Sequence, residues 1–313
     1  DWSSDVCSSD LTFELPPPLP ERGAPDLWSR LDAAVCRDRR DPRRRIAVDD
    51  SKNLKGAATR TRHPLHELER GVLAFLRAAT GAVDPPPDCE TLLTTLGVRR
   101  DHLPWYDSAT PLPVANDPGA LGIAAACLER ALRTADIRCA AVDARIVDAR
   151  ELNTLAERLG SKAAVNLGTV LRLVETVRRR YPEHHPRLVI DRQSGRTRYR
   201  NELAAAFPDA FIRIEAESPP FSRYHLRWPD ERQITLSFVR EAEQRHLPVA
   251  LASMTAKFVR ELLMLRLNRY FRDHRPELRP TAGYVQDGRR YLREIDPILR
   301  ELDLPRDALV RRV

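Results

Sequence analysis

Residues 233–261 read QITLSFVREAEQRHLPVALASMTAKFVRE, and the spacing of their apolar residues changes midway. In QITLSFV, Ile234, Leu236 and Phe238 alternate with other residues, as in a strand with one buried face. From Leu247 to about His274 the alternation gives way to a long helical run, with Pro248 in the first turn, where a missing N–H costs nothing. Its small residues Ala250, Ala252, Ser253 and Ala256 would let the helix lie close against a sheet. Strands separated by helices argue for an α/β domain with a mixed sheet, and Glu241, Glu243 and Glu261 of this stretch read ordinarily as a solvated charge face.

Upstream, FIRIEAES and YHLRWPD read as strands that form a hairpin or meander with QITLSFVRE. RLVID at 187–191 is a short apolar run bounded by turn residues, which predicts a buried, central parallel strand. It ends in Asp191, at the C-terminal end of a strand, where α/β sheets place ligands and catalytic groups; an ordinary turn cap is the competing reading. GSKAAVNLGTVLRLVETVRRRYP predicts a helix capped by Ser161 and ended by Pro182. Its missing upstream glycine sets it apart from a phosphate-binding P-loop.

Further helices are predicted at Asp26–Cys36, from His66 to Gly81, at Ala120–Thr134 and at Tyr199–Ala206, with strand character around Ile137–Ile146. Residues 12–313 thus read as one unit with a Pro-rich excursion at 82–119, a hairpin insertion at 207–230 and a C-terminal helical segment at 276–313.

The first eleven residues, DWSSDVCSSDL, fit this pattern poorly. They can be back-translated into a widely used sequencing-library adapter read in frame, so residues 1–11 are expected to be non-native and to stay disordered or poorly packed. They carry three Asp and no base, so from Thr12 onward 52 Lys and Arg face 42 Asp and Glu, against a net +7 for the whole chain. That balance favours polyanionic partners, nucleic acid above all.

Only Lys52, Lys55, Lys162 and Lys257 stand against 48 Arg, which marks each lysine as a place where a compact ammonium is wanted. Beyond Cys7, the cysteines Cys36, Cys89, Cys127 and Cys139 form no C-x-x-C pair, and reduced thiols in a cytoplasmic protein are expected. No apolar run is long enough for a bilayer, so no membrane is expected, and nothing calls for an obligate protein partner.

Taken in order, four segments resemble the ribonuclease HII family, endonucleases that cut at ribonucleotides in RNA–DNA hybrids. DDSKNL at Asp49–Leu54 is similar to that family's Asp-Ser-Lys-Lys-Leu, and RLVID to its strand ending in a catalytic Asp. AEQRHLPVALASMTAKFVRE is similar to Gly-Asp-Ser-Arg, then Ala-Ala-Ser-(apolar)2-Ala-Lys, then Arg-Asp, and TAGYVQDG to a Gly-Tyr-x-Thr turn.

The resemblance implies a ribonuclease H-like mixed sheet flanked by helices, with a C-terminal helical extension. It also implies hydrolysis of RNA–DNA hybrid or of duplex DNA carrying ribonucleotides, with Mg2+ (or Mn2+) as cofactor. In such hydrolysis two ions about 4 Å apart activate water and stabilise the leaving oxygen. Asp191 and Glu243 would be catalytic metal ligands, with Glu241 as the fallback; Ser51, Lys52 and Lys257 would position phosphates or support the carboxylates, and Tyr284 would pack on the sugar at the RNA–DNA junction.

Three departures accompany the likeness. The family's Asp-Glu-Ala-Gly-Arg-Gly motif, source of its first two ligands, occurs nowhere in the chain. Asp191 and Glu243 stand 52 positions apart, with the hairpin between them, and Arg289 occupies the region where a His is usual. With two of four ligands missing, the chain is expected to be inactive or nearly so. The alternatives are a non-catalytic nucleic-acid-binding protein that keeps the fold, or a related nuclease with another substrate.

Overall fold

A computed structural model of the chain describes residues 6–17, 24–56, 62–99, 102–193 and 195–312. The α/β class is as expected, but the strands divide among three small sheets. Strand β1 (Val6–Glu14) pairs antiparallel with β4 (Arg138–Val147), and β2 (Val35–Cys36) pairs parallel with β3 (Ile46–Ala47). The third sheet has four strands in the order β5-β8-β7-β6, from β5 (Arg187–Asp191), β6 (Phe211–Glu217), β7 (Phe221–Arg227) and β8 (Gln233–Val239). It is mixed: β5 runs parallel to β8, and the other pairs are antiparallel.

Ten helices lie among these strands in the described residues: α1 (Leu27–Arg30), α2 (Ser51–Leu54), α3 (His66–Thr80), α4 (Cys89–Thr95), α5 (Pro118–Thr134), α6 (Ala149–Leu159), α7 (Lys162–Arg180), α8 (Arg200–Ala206), α9 (Leu247–His274) and α10 (Val285–Glu301). Local chemistry sets several of their ends. Ser161 caps α7 by accepting from the Ala164 amide, and Gly81 closes α3 at φ 69°, a conformation that favours glycine. Among the described residues no helix is long and apolar enough to cross a membrane.

Helix α9, at 28 residues, is the backbone of the larger core. Leu251, Met254, Phe258, Leu262 and Phe271 are almost wholly buried there against α3, β1, α4 and α10. The Pro-rich 82–119 stretch is part of this core: Trp105 stacks on Phe271 with ring centres 6.1 Å apart, and Leu92, Leu93 and Leu96 are buried. Glu69 of α3, fully buried, ties it down by accepting from the amides of Val114 (2.7 Å) and Ala115 (2.8 Å) and the side chain of Asn116 (2.9 Å).

A second core lies between the four-stranded sheet and helices α7 and α8. Tyr224 and Leu226 of β7 alternate inward, as do Ile234, Leu236 and Phe238 of β8, and Tyr199 stacks flat on Phe238 at 3.7 Å.

Four expectations change. Helix α1 ends at Arg30, not Cys36, because Val35 and Cys36 are drawn into pairing with Ile46 and Ala47, a tertiary gain that outweighs helix propensity. RLVID is a strand at the edge of its sheet, half-buried, with Arg187 and Asp191 exposed, since β8 pairs it on one side only. The expected mixed sheet is present but holds only four of the strands, the others pairing in two separate two-stranded sheets around the larger core.

Finally, the part of DWSSDVCSSDL that is described, from Val6, is not unpacked, whereas residues 1–5 lie outside the described residues. Ser9 donates to the Ala252 carbonyl of α9, and on the same face of β1 Leu11 and Phe13 reach the large core. On the opposite face Asp10 lies opposite Asp143 of β4, and both of its carboxylate oxygens are shut off from solvent with no hydrogen-bond partner. Arg180 of α7, the nearest cation, pairs with Asp143 instead. Burial pushes the Asp10 carboxyl up to about 7, and the Asp143 charge adds to the shift.

Candidate functional site

Two apolar runs end in aspartate. IAV, from β3 onward, leads through Asp49 to Asp50, and LVI of β5 leads to Asp191. Asp50 caps α2 by accepting from the Lys52 amide at 2.9 Å. Its neighbour Asp49 is turned to Arg37 (4.0 Å) and Asn53 (3.3 Å), so the two acids have separate roles. Asp191 accepts from the Ala242 amide at 2.9 Å, which fixes the turn between β8 and α9 against the end of β5.

That turn carries Glu241 and Glu243. Glu241 adopts φ 54°, in the left-handed region that costs a residue with a Cβ about 1 kcal/mol or more. Replacing Glu241 with glycine is therefore expected to raise stability by about 1 kcal/mol in urea unfolding; an unchanged midpoint would mean the turn carries no strain.

Asp50, Asp191 and Glu243 feel one another. Partial burial raises the Asp191 carboxyl; the amides of Ala242 and Arg192 oppose the rise, and the charges of Asp50 and Glu241 add to it. Glu243 is likewise raised, first by burial and then by Asp50 and Asp191, while a hydrogen bond from Ser253 and the charge of Lys52 pull the other way. These are the signs of a like-charged pocket that would gain from a cation.

Ser51, nearly buried, lies 3.0 Å from Ser253 on α9, Oγ to Oγ, which anchors α2 to the start of that helix. One and two turns beyond Ser253 on the same face come Lys257 and Glu261. Glu261 is gripped by Lys55 (2.8 Å), Arg260 (2.8 Å) and Lys257 (3.2 Å). Burial alone would raise its carboxyl, but Lys55 first, with Arg260 and Lys257, holds it below the ordinary range.

Arg260 also donates to the Ala282 carbonyl at 2.8 Å, bringing in the TAGY turn, on which Tyr284 stands 59% exposed. A strip thus runs from the carboxylates through Lys52 and Ser253 to Lys257, Lys55 and Arg260 around Glu261.

The sequence-derived candidates separate accordingly. Asp191, Glu243, Ser51 and Lys52 come together, with Glu241 beside Asp191. Lys257 lies along the strip, committed to Glu261. Among the described residues no hydrogen bond or ion pair joins Tyr284 to Asp191 or Glu243. Asp50, Ser253, Lys55 and Arg260 were missed as site members. The signal for Asp50 was its place at the end of a short apolar run, the same signal that marked Asp191.

Carboxylate oxygens are the donors that Mg2+ and Mn2+ prefer. In this arrangement, however, no three Asp, Glu, His or Cys side chains among the described residues converge to hold one ion. As they stand, the described residues therefore do not form a metal cage. No protein-family model, no characterised protein and no solved structure matches the chain.

Proposed function

We propose that the chain is a ribonuclease HII-like protein, with a ribonuclease H-like arrangement of its sheets, that binds RNA–DNA hybrid or duplex DNA carrying ribonucleotides. The observation that carries this reading is the meeting of Asp50, Asp191 and Glu243 beside a strip of Lys52, Lys257, Lys55 and Arg260. Cations on the neighbouring helices α2 and α9 suit a phosphate backbone, and the raised carboxylates suit the place where a phosphodiester would be attacked.

Catalysis by a member of this family calls for Mg2+ or Mn2+, and hydrolase activity would belong to a protein that supplies the Asp-Glu-Ala-Gly-Arg-Gly motif. The alternative of binding without cleavage is favoured for this chain by one observation: its described carboxylates do not converge on a single ion.

Fluorescence anisotropy with three duplexes of one sequence tests the proposal: RNA–DNA hybrid, DNA with a single ribonucleotide, and all-DNA. The hybrid and the ribonucleotide duplex are expected to bind more tightly than all-DNA. Lys52→Ala is expected to weaken binding roughly tenfold and to flatten its salt dependence by about one phosphate contact. Equal affinity for the three duplexes would overturn the substrate assignment. If cleavage is seen with Mg2+ or Mn2+, Asp191→Asn must abolish it; survival of cleavage would remove Asp191 from the site.

A further inference from the structure

Helices α7 and α8 cover one face of the four-stranded sheet, and the apolar members of the other face, Phe211, Phe221 and Val239, join neither core. In β7 Ser222, Tyr224 and Leu226 turn inward, so Phe221, Arg223, His225 and Arg227 share the open face, over about 20 Å. The register widens that face on both sides. Phe211 and Arg213 of β6 stand opposite Arg227 and His225, while Gln233 and Thr235 of β8 adjoin the same two residues from the other side. Arg187 of β5, also exposed, lies beside Thr235.

The face thus interleaves aromatic rings with cations, and its rings are within reach of solvent: Phe211 is 67% exposed and Phe221 half-buried. Arg223 donates to the Ser237 hydroxyl at 3.1 Å, which lays its guanidinium along the sheet, 5.3 Å from the centre of the Phe221 ring. Arg223 and His225 meet no carboxylate among the described residues. Arg213 and Arg227 have only surface partners, Glu215 at 3.0 Å and Glu231 at 3.8 Å, and such pairs are readily exchanged for another anion.

We propose that this open face binds single-stranded RNA, with bases stacked on Phe221 and Phe211 and phosphates held by Arg223 and Arg227. Unpaired bases offer their flat faces to aromatic side chains, whereas a duplex keeps them inside its own stack. Beside the rings, the side chains of Gln233 and Thr235 have no hydrogen-bond partner among the described residues and lie where a ribose 2'-OH can meet them. A second copy of the chain suits the face poorly, because it would set arginine against arginine. Asp191, opposite Val239 in the register and so next but one to Phe221, marks the corner at which a strand crossing the face reaches the carboxylates. The face is distinct from the strip on α2 and α9 and would hold a single strand whether or not that strip holds a duplex.

The test is fluorescence anisotropy of the whole chain with a labelled oligouridine of about 12 nucleotides, with oligothymidine of the same length and an Asp/Glu peptide as comparators. Oligouridine is expected to bind saturably with a Kd of about 10 μM at moderate salt, oligothymidine several-fold more weakly, and the acidic peptide is expected not to displace either. Phe211→Leu and Phe221→Leu keep an apolar side chain but remove the ring; each should weaken oligouridine about fivefold without altering the salt dependence, and Phe211→Tyr should bind as the parent does. Arg227→Ala should instead lower the salt slope by about 0.7, one phosphate contact on a single strand. Phe211 is so exposed that its replacement leaves folding out of question. Absence of saturable binding, undiminished binding by both leucine variants, or displacement of oligouridine by the acidic peptide would each overturn the proposal, and equal affinity for oligothymidine would overturn the choice of RNA.

Discussion

Replacing Asp10 with leucine is expected to stabilise the protein by roughly 4 kcal/mol at pH 8 and by much less at pH 3. The carboxyl is raised in the fold from 3.8 to about 7, a difference of about three pH units at roughly 1.4 kcal/mol each. The direction follows from proton linkage. Below the unfolded value both states hold the proton and nothing is lost. Between 3.8 and about 7 the unfolded chain ionises while the folded one does not, so stability falls as pH rises, and above about 7 the loss is complete.

The geometry supplies the cause: both oxygens are buried without partners, and Arg180 is already taken by Asp143. Urea unfolding of parent and variant at the two pH values provides the measurement. A stability gain of the same size at both would show that Asp10 is not the titrating group. Asp10 is the exception within β1: the strand's backbone pairs along β4, yet this side chain is ill matched to its surroundings.

The second large effect is at Glu69. Its carboxylate accepts three hydrogen bonds, from Val114, Ala115 and Asn116, all at 2.7–2.9 Å and out of solvent. Glu69→Ala removes the acceptor of the half-buried Val114 and Ala115 amides, while Asn116 keeps its bond to the His66 carbonyl, and a loss of roughly 3 kcal/mol is expected. The loss should be uneven. Amide exchange at Val114 and Ala115 should accelerate, while the amides of the four-stranded sheet, in the other core, should keep their protection as long as the fold persists. Uniform acceleration through both cores would mean that Glu69 supports global stability without anchoring the 82–119 stretch.

The helices were legible wherever a period and a stop signal coincided. The stripe through Leu68, Val72 and Phe75 ends at Gly81, and Ser161 opens α7. The β8 strand was legible by alternation, because the large apolar residues Ile234, Leu236 and Phe238 fill one face while the other is more polar and only partly covered. Sheet membership was not legible. LVI in β5 has the composition of a strand covered on both faces, but pairing on one edge only leaves it half-buried, and no local pattern distinguishes the two.

Val35 and Cys36 show the reverse case, where a partner eleven residues downstream decides the conformation. At the site, Asp191 was singled out by its place at the end of a strand and Glu243 by the resemblance alone, whereas Asp50, which also follows a short apolar run, was passed over. The grip of Lys55 and Arg260 on Glu261 depends on α2 and α9 lying side by side, a relation that spacing along the chain does not encode.

Helix α2 is only four residues long, yet forces of opposite sign act on its two ends. At its far end Lys55 is drawn to Glu261, and in between Ser51 is bonded to Ser253, while at its cap Asp50 faces the like charges of Asp191 and Glu243. Mechanically it is a short lever, pinned at one end and pushed at the other, with its pivot on α9. Neutralising the carboxylates, by protons or by a bound cation, removes the push and leaves the pin. The seat of α2 on α9 is thereby tied to the charge at its cap.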